Sequence, residues 1–121
     1  MVDALGNPLK FVLTAGQRHD ITQAKQLSID ITDAAIIGDT AYDADHFIEH
    51  IKNQRCKPEI PPRKNRKQPR EYDASLYKER HAIECFFAKI KHFRRIFSRF
   101  DKSCQSYLSF LYFVGTLIWL R

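Results

Sequence analysis

The sequence predicts an α/β domain, and three observations predict it. The run Ala34-Ala35-Ile36-Ile37-Gly38 is apolar without alternation, as a strand buried on both faces is. Segments that follow it carry apolar residues at helical spacing, first Phe47, Ile48 and Ile51, and later Ile83, Phe86, Phe87, Ile90 and Phe97. A chain of 121 residues, 44% of them apolar, suits one domain or a piece of a larger one and excludes wholesale disorder.

Residues 1–15 read as a hairpin. Met1 to Ala4 is a short strand, Leu5-Gly6-Asn7-Pro8 a turn, and Leu9 to Thr14 a second strand. A strand that begins at residue 1 leads us to expect its neighbour upstream. Gly16 to Asp20 is a loop, and Asp20 is placed to cap a helix over 21–28. The strand at 34–38 ends on Gly38-Asp39, an acid at the carboxyl end of a strand, where α/β folds tend to hold functional side chains. Asp43 or Asp45 is expected to cap the next helix, and Cys56 to Ile60 to form one more strand, ended by Pro61-Pro62. From Ala74 to Arg99 one long helix is expected, capped by Asp73 or Ser75, with a basic edge at Lys91, Arg94, Arg95 and Arg99. The nearly all-apolar stretch Tyr107–Leu120 falls short of the roughly 20 residues a membrane span needs, so a buried C-terminal helix is expected.

Charge is unevenly distributed. Residues 1–60 hold 6 Lys/Arg against 9 Asp/Glu, whereas residues 61–121 hold 14 against 5. The second half therefore suits an anionic partner, nucleic acid first and an anionic membrane surface second. The basic run Arg63-Lys64-Asn65-Arg66-Lys67-Gln68-Pro69-Arg70 contains no apolar residue; it is either a solvated linker or a contact with phosphates. Three widely spaced cysteines, Cys56, Cys85 and Cys104, fit neither a disulfide framework nor a zinc knuckle, and no basic-then-apolar leader opens the chain.

Three constellations could carry chemistry. Asp39 at a strand exit and Glu84 on a helix are carboxylates from separate elements, the oxygen donors that Mg²⁺ requires. His46 and His50, four residues apart, could bind a transition metal but lack the glutamate of a metalloprotease helix, so a solvated face is expected there. Cys85 lies in an apolar run, and packing is its expected role. Tyr77, Arg80, Glu84 and Lys91 sit at offsets of 0, 3, 7 and 14, within roughly 60° of one another on a uniform helix. That face suits either a metal- and phosphate-handling site or a surface ion-pair ladder.

Those four residues fit Y-x2-R-x3-E-x6-K, and in this the chain resembles the DDE transposases of bacterial insertion sequences. Gly38-Asp39-Thr40-Ala41-Tyr42-Asp43 is similar to the family's second conserved block, and Val2 to Pro8 with Leu13-Thr14-Ala15-Gly16 resembles the hairpin before it. The resemblance implies an RNase H-like mixed sheet flanked by helices, with residues 1–121 forming a single incomplete catalytic domain: 1–60 carrying Asp39, a basic loop at 61–73, and a helical part at 74–121 carrying Glu84. It implies Asp39 and Glu84 as the second and third catalytic acids, holding Mg²⁺ or Mn²⁺. Tyr77, Arg80 and Lys91, with Arg63, Lys64, Arg66, Lys67, Arg94 and Arg95, are then DNA contacts. The implied partners are double-stranded DNA, as the terminal inverted repeats of an element and as target DNA, in an oligomeric complex without a membrane. The implied location is the bacterial cytoplasm, nucleoid-associated when bound.

The family's first acid lies on the strand before the hairpin, and Asp3, as part of the hairpin block, does not replace it. We therefore expect a fold truncated before its first catalytic strand and a chain inactive alone: a decayed remnant, or the downstream frame of a two-frame element whose partner is an upstream-frame product or a full-length transposase. A silent DNA-binding fragment is the competing expectation. A partly folded product, with an open sheet edge and segment 107–120 driving aggregation, is another.

Overall fold

The computed structural model describes residues 1–14, 19–93 and 103–120. Gly16, Phe97 and the basic residues Arg94, Arg95 and Arg99 lie outside them. The chain divides into two compact units, one contiguous over 15–80 and one made of 1–14 with 81–121.

In the contiguous unit, β1 (Ala35–Ile37) pairs in parallel with β2 (Lys57–Glu59). The register sets Ala35 against Lys57, Ile36 against Pro58 and Ile37 against Glu59, so both strands leave the sheet on the same edge. A parallel pair requires a crossover, here α2 (Asp45–Asn53). The helix buries Phe47, Ile48 and Ile51, as their spacing predicts, and these pack with Ala24, Cys56 and Ile60 into one core. The helix stops at Gln54, and Arg55 then takes a left-handed φ of 58° while the Cys56 N–H donates back to the Ile51 carbonyl at 3.1 Å. That turn delivers the chain straight into β2. β1 differs from expectation in being only half covered: Ala35 is exposed and Ile36 and Ile37 are half-buried. Among the described residues β2 is its one pairing partner, and Pro58 lacks a ladder donor, a residue that belongs on edge strands.

Helix starts also differ from the sequence reading. A 3₁₀ turn, Asp20–Gln23, precedes α1 (Ala24–Ser28), and His19 rather than Asp20 occupies its cap position. Ala44 caps α2 without a side-chain bond, so neither Asp43 nor Asp45 acts as the cap. Asp73 does cap α3 (Ala74–Tyr77), accepting from the Ser75 and Leu76 N–H groups at 2.9 and 3.0 Å. The single helix expected beyond it is divided: a 3₁₀ turn, Lys78–Arg80, separates α3 from α4 (His81–Ile90). Lys78-Glu79-Arg80 offers no apolar side chain to bury, and the boundary between the two units falls at its end.

In the other unit, α4 and α5 (Cys104–Trp119) share a core of Phe86, Ile90, Leu111, Val114 and Ile118, with Val2, Phe11 and Leu13 packed against it. The expected hairpin is reduced to a tight turn with one bridge between Val2 and Pro8. Asp3 organises that turn: its carboxylate accepts the Leu5 and Asn7 N–H groups, each at 2.9 Å, and the Asn7 side-chain amide at 3.2 Å. Leu9–Thr14 pairs with no strand among the described residues. Gly115 lets α5 approach it closely, since a Cβ there would meet Pro8 at 3.2 Å and Phe11 at 3.3 Å. Trp119 adds a bond from its indole N–H to the Pro8 carbonyl at 2.6 Å.

Helix α5 is buried on one face only, and Tyr112, Phe113, Leu117 and Trp119 remain substantially exposed. Phe87 on α4, expected in the core, is 51% exposed. No helix among the described residues is long and apolar enough to cross a membrane. Adjacent positions on α5 test which face carries the packing. Val114→Ala should cost about 2 kcal/mol through lost burial and a cavity, and Phe113→Ala less than about 0.5 kcal/mol, read as denaturant midpoints of the full chain.

Candidate functional site

Asp39 lies two residues past the end of β1, on the edge where Glu59 ends β2. It is the cap of a 3₁₀ turn, Thr40–Tyr42: its Oδ1 accepts the Ala41 N–H at 2.9 Å and its carbonyl accepts the Tyr42 N–H at 3.0 Å. The side chain is half-buried and Oδ2 accepts no hydrogen bond from the described residues, which leaves that oxygen suited to a hard cation. Tyr42, half-buried over this turn, has its phenol pushed up by burial and by the charges of Asp20 and Asp39.

The basic run is neither a free linker nor wholly available to phosphates. Asp43 closes the Asp39 turn, its side chain has no exposed surface, and three arginines converge on it. Arg66 donates from Nε to Oδ2 and from Nη2 to Oδ1, both at 2.9 Å. Arg70 Nη1 donates to Oδ1 at 2.9 Å, and the Arg63 backbone N–H to Oδ2 at 2.7 Å. Burial alone would raise the Asp43 carboxyl; the Arg66 guanidinium, the Arg63 N–H and Arg70 more than reverse it and hold the acid down at about 2. The same contacts, with Asp45 at 2.6 Å, raise the Arg66 guanidinium further. Arg63 turns its own side chain onto the Thr40 and Ala41 carbonyls, each at 3.3 Å. Lys64 and Lys67 remain exposed.

A second buried carboxylate holds the other end of this segment. Glu59, with no exposed side-chain surface, accepts the Asp73 N–H at 2.6 Å and pairs with the Lys57 ammonium at 3.0 Å. Asp73 in turn caps α3. Residues 61–73 are thus tied at both ends to acids at or just beyond the two strand exits. Sequence reasoning treated Asp43 as a helix-cap candidate and assigned Glu59 no role. The available signal was the run of five basic residues over 63–70 with no acid among them.

The remaining candidates fall as follows. Tyr77 and Arg80 are together, with the guanidinium 5.8 Å from the ring centre. Glu84, on α4 in the other unit, lies 3.5 Å from His81 Nδ1, while His81 Nε2 lies 3.2 Å from the half-buried Cys85 Sγ. Lys91 is exposed just past the end of α4. Asp39 and Glu84 belong to different units. His50 stacks on Phe47 and His46 is exposed. No cluster of three His, Cys, Asp or Glu side chains suited to a metal occurs among the described residues.

The Asp43 cluster has a defined pH signature. A carboxyl lowered on folding contributes stability fully above its unfolded value of 3.8, lost as pH falls through about 2. Acid titration of the wild type should show this loss between about pH 4 and pH 2. Asp43→Ala should remove it and cost about 3 kcal/mol at neutral pH, because two guanidiniums lose their buried partner.

Comparison with known proteins agrees with this arrangement of landmarks. Residues 1–106 match the family described as Transposase DDE domain. A protein of Brucella ovis named "Putative transposase for insertion sequence element IS6501" is 39% identical over 123 residues, covering all of this chain and 95% of that relative. No solved structure matches the chain significantly. The order of landmarks along the sequence, the strand-exit position of Asp39 and the match over most of the chain lead to one conclusion: this protein belongs to the DDE transposases of bacterial insertion sequences.

Proposed function

We propose that the chain supplies the second and third acids, Asp39 and Glu84, of an RNase H-like transposase site that cuts and joins the ends of its own element. The observation that carries this reading is Asp39 itself: a half-buried carboxylate at a parallel-strand exit, with Oδ2 unengaged. Its oxygen chemistry fits Mg²⁺ or Mn²⁺, which when bound would stabilise charge on the oxygens of an in-line phosphoryl displacement. The Ala41 N–H holds Asp39 through Oδ1, which restrains the side chain at the strand exit. Glu84, half-exposed on α4, is the partner acid that the family signature supplies.

DNA is the substrate in this reading, as the terminal inverted repeats and the target. Lys64, Lys67 and Lys91, exposed and basic, are suited to neutralising phosphates, and Tyr77 with Arg80 to positioning the strand. Arg63, Arg94 and Arg95 complete the proposed set, and Arg66 contributes through its bond to Asp43. Residues 1–121 contain two of the three acids, since Asp3 is engaged in its own turn. The chain alone is therefore proposed to bind element ends without cleaving them, in the bacterial cytoplasm and as part of a larger complex when active. The alternative, a catalytically silent fragment that only binds DNA, is favoured by the same three exposed lysines.

A nicking assay on DNA carrying the element ends, with Mg²⁺ or Mn²⁺, should show no cleavage by the chain alone; robust nicking abolished by Asp39→Ala would overturn the inactivity. Binding should weaken with salt, and Lys64→Ala with Lys67→Ala should lower the slope of log K against log salt by about 2. An unchanged slope would remove those lysines from the interface.

A further inference from the structure

We propose that Asp43 is a positioning residue for Asp39, acting through a strap formed by residues 61–73. This rests on the reading of Asp39 as a metal-binding acid. The turn that carries Asp39 is short: Tyr42 packs against the core, but Thr40 and Ala41, the residues that follow Asp39, are exposed, so packing does not fix that part of the turn. On its amino side it is held by the pairing of β1 with β2. On its carboxyl side it is held by Asp43, whose carboxylate takes four hydrogen bonds from Arg63, Arg66 and Arg70. The strap also reaches over the turn: the Arg63 guanidinium donates to the carbonyls of Thr40 and Ala41, the first of which shares its peptide with the N–H that holds Asp39. Arg70 donates to the Ile60 carbonyl at 2.7 Å, which ties the strap to the exit of β2, and Glu59 fastens its far end at Asp73.

The arrangement suits positioning better than mere stability. A buried carboxylate among arginines is often no more stabilising than an apolar cluster of the same volume, but it fixes one geometry. Two backbone carbonyls next to Asp39 are bonded by the strap rather than by the sheet, so loosening the strap frees the Asp39 turn while leaving the core of Phe47, Ile48 and Ile51 in place.

The test uses the full chain and amide hydrogen exchange by NMR. Asp43→Asn is compared with Ile51→Val, a core substitution that lowers the stability of the same unit. Exchange at Ala41 should accelerate at least about tenfold more in Asp43→Asn than in Ile51→Val, while β2 amides respond alike in the two. Asp43→Glu, which keeps the charge, should recover part of the protection. Mn²⁺ titration should broaden the signals around Asp39 in the wild type, with an apparent affinity about fivefold weaker in Asp43→Asn. Equal Ala41 exchange in the two variants would overturn the strap. Absence of Mn²⁺ broadening in the wild type would instead overturn the reading of Asp39, and the exchange comparison would still judge Asp43. Should Asp43→Asn fail to fold, Arg66→Lys makes the same comparison, since an ammonium cannot span both carboxylate oxygens.

Discussion

Asp43 holds a negative charge where its side chain meets no solvent, and a charge in that position must be matched on every lone pair or the fold fails. The matching groups come from 20 to 27 residues further along the chain. Meeting that one demand returns the basic segment to the sheet edge and closes the turn behind Asp39, while Glu59 holds the residue that caps α3. The cations look from composition like a solvated tether, yet their first role is internal neutralisation.

This alters how the charge of the second half is read. Five basic residues stand between 63 and 70, but two guanidiniums are committed to Asp43 and a third to backbone carbonyls. Phosphate binding by this segment then falls mainly to two lysines, compact point charges without the bidentate geometry of arginine. Contacts of that kind set register and affinity on DNA but do not read its sequence.

What could be read in the sequence follows what is local. The face of Phe47, Ile48 and Ile51 and the Asp73 cap each depend on residues a few positions apart and occur as expected, whereas the apolar run before Gly38-Asp39 forms a strand that is covered only in part. Asp39 and Glu84 could be proposed as site residues because the motifs that resemble the family's hold them at short fixed offsets within recognisable blocks. The roles of Asp43 and Glu59 were not legible, because each depends on a partner more than ten residues away brought close only by β1–β2 pairing. Helical periodicity likewise overestimated the uniformity of 74–99: three successive charged residues keep the pattern polar but give that turn nothing to pack on. Phe87 shows the same limit, since its spacing fits the stripe but its side chain points largely to solvent.

The bond from Trp119 to Pro8 joins residues 111 positions apart, and Trp119 is the chain's single tryptophan. Residues 1–14 cannot complete their unit until the last helix has left the ribosome, whereas the contiguous unit is drawn from residues 15–80 alone. Synthesis at about 5–20 residues per second separates those two moments by several seconds. Tryptophan emission is therefore blind to the closure of the Asp39 turn, and it marks the late event in which the two ends of the chain meet.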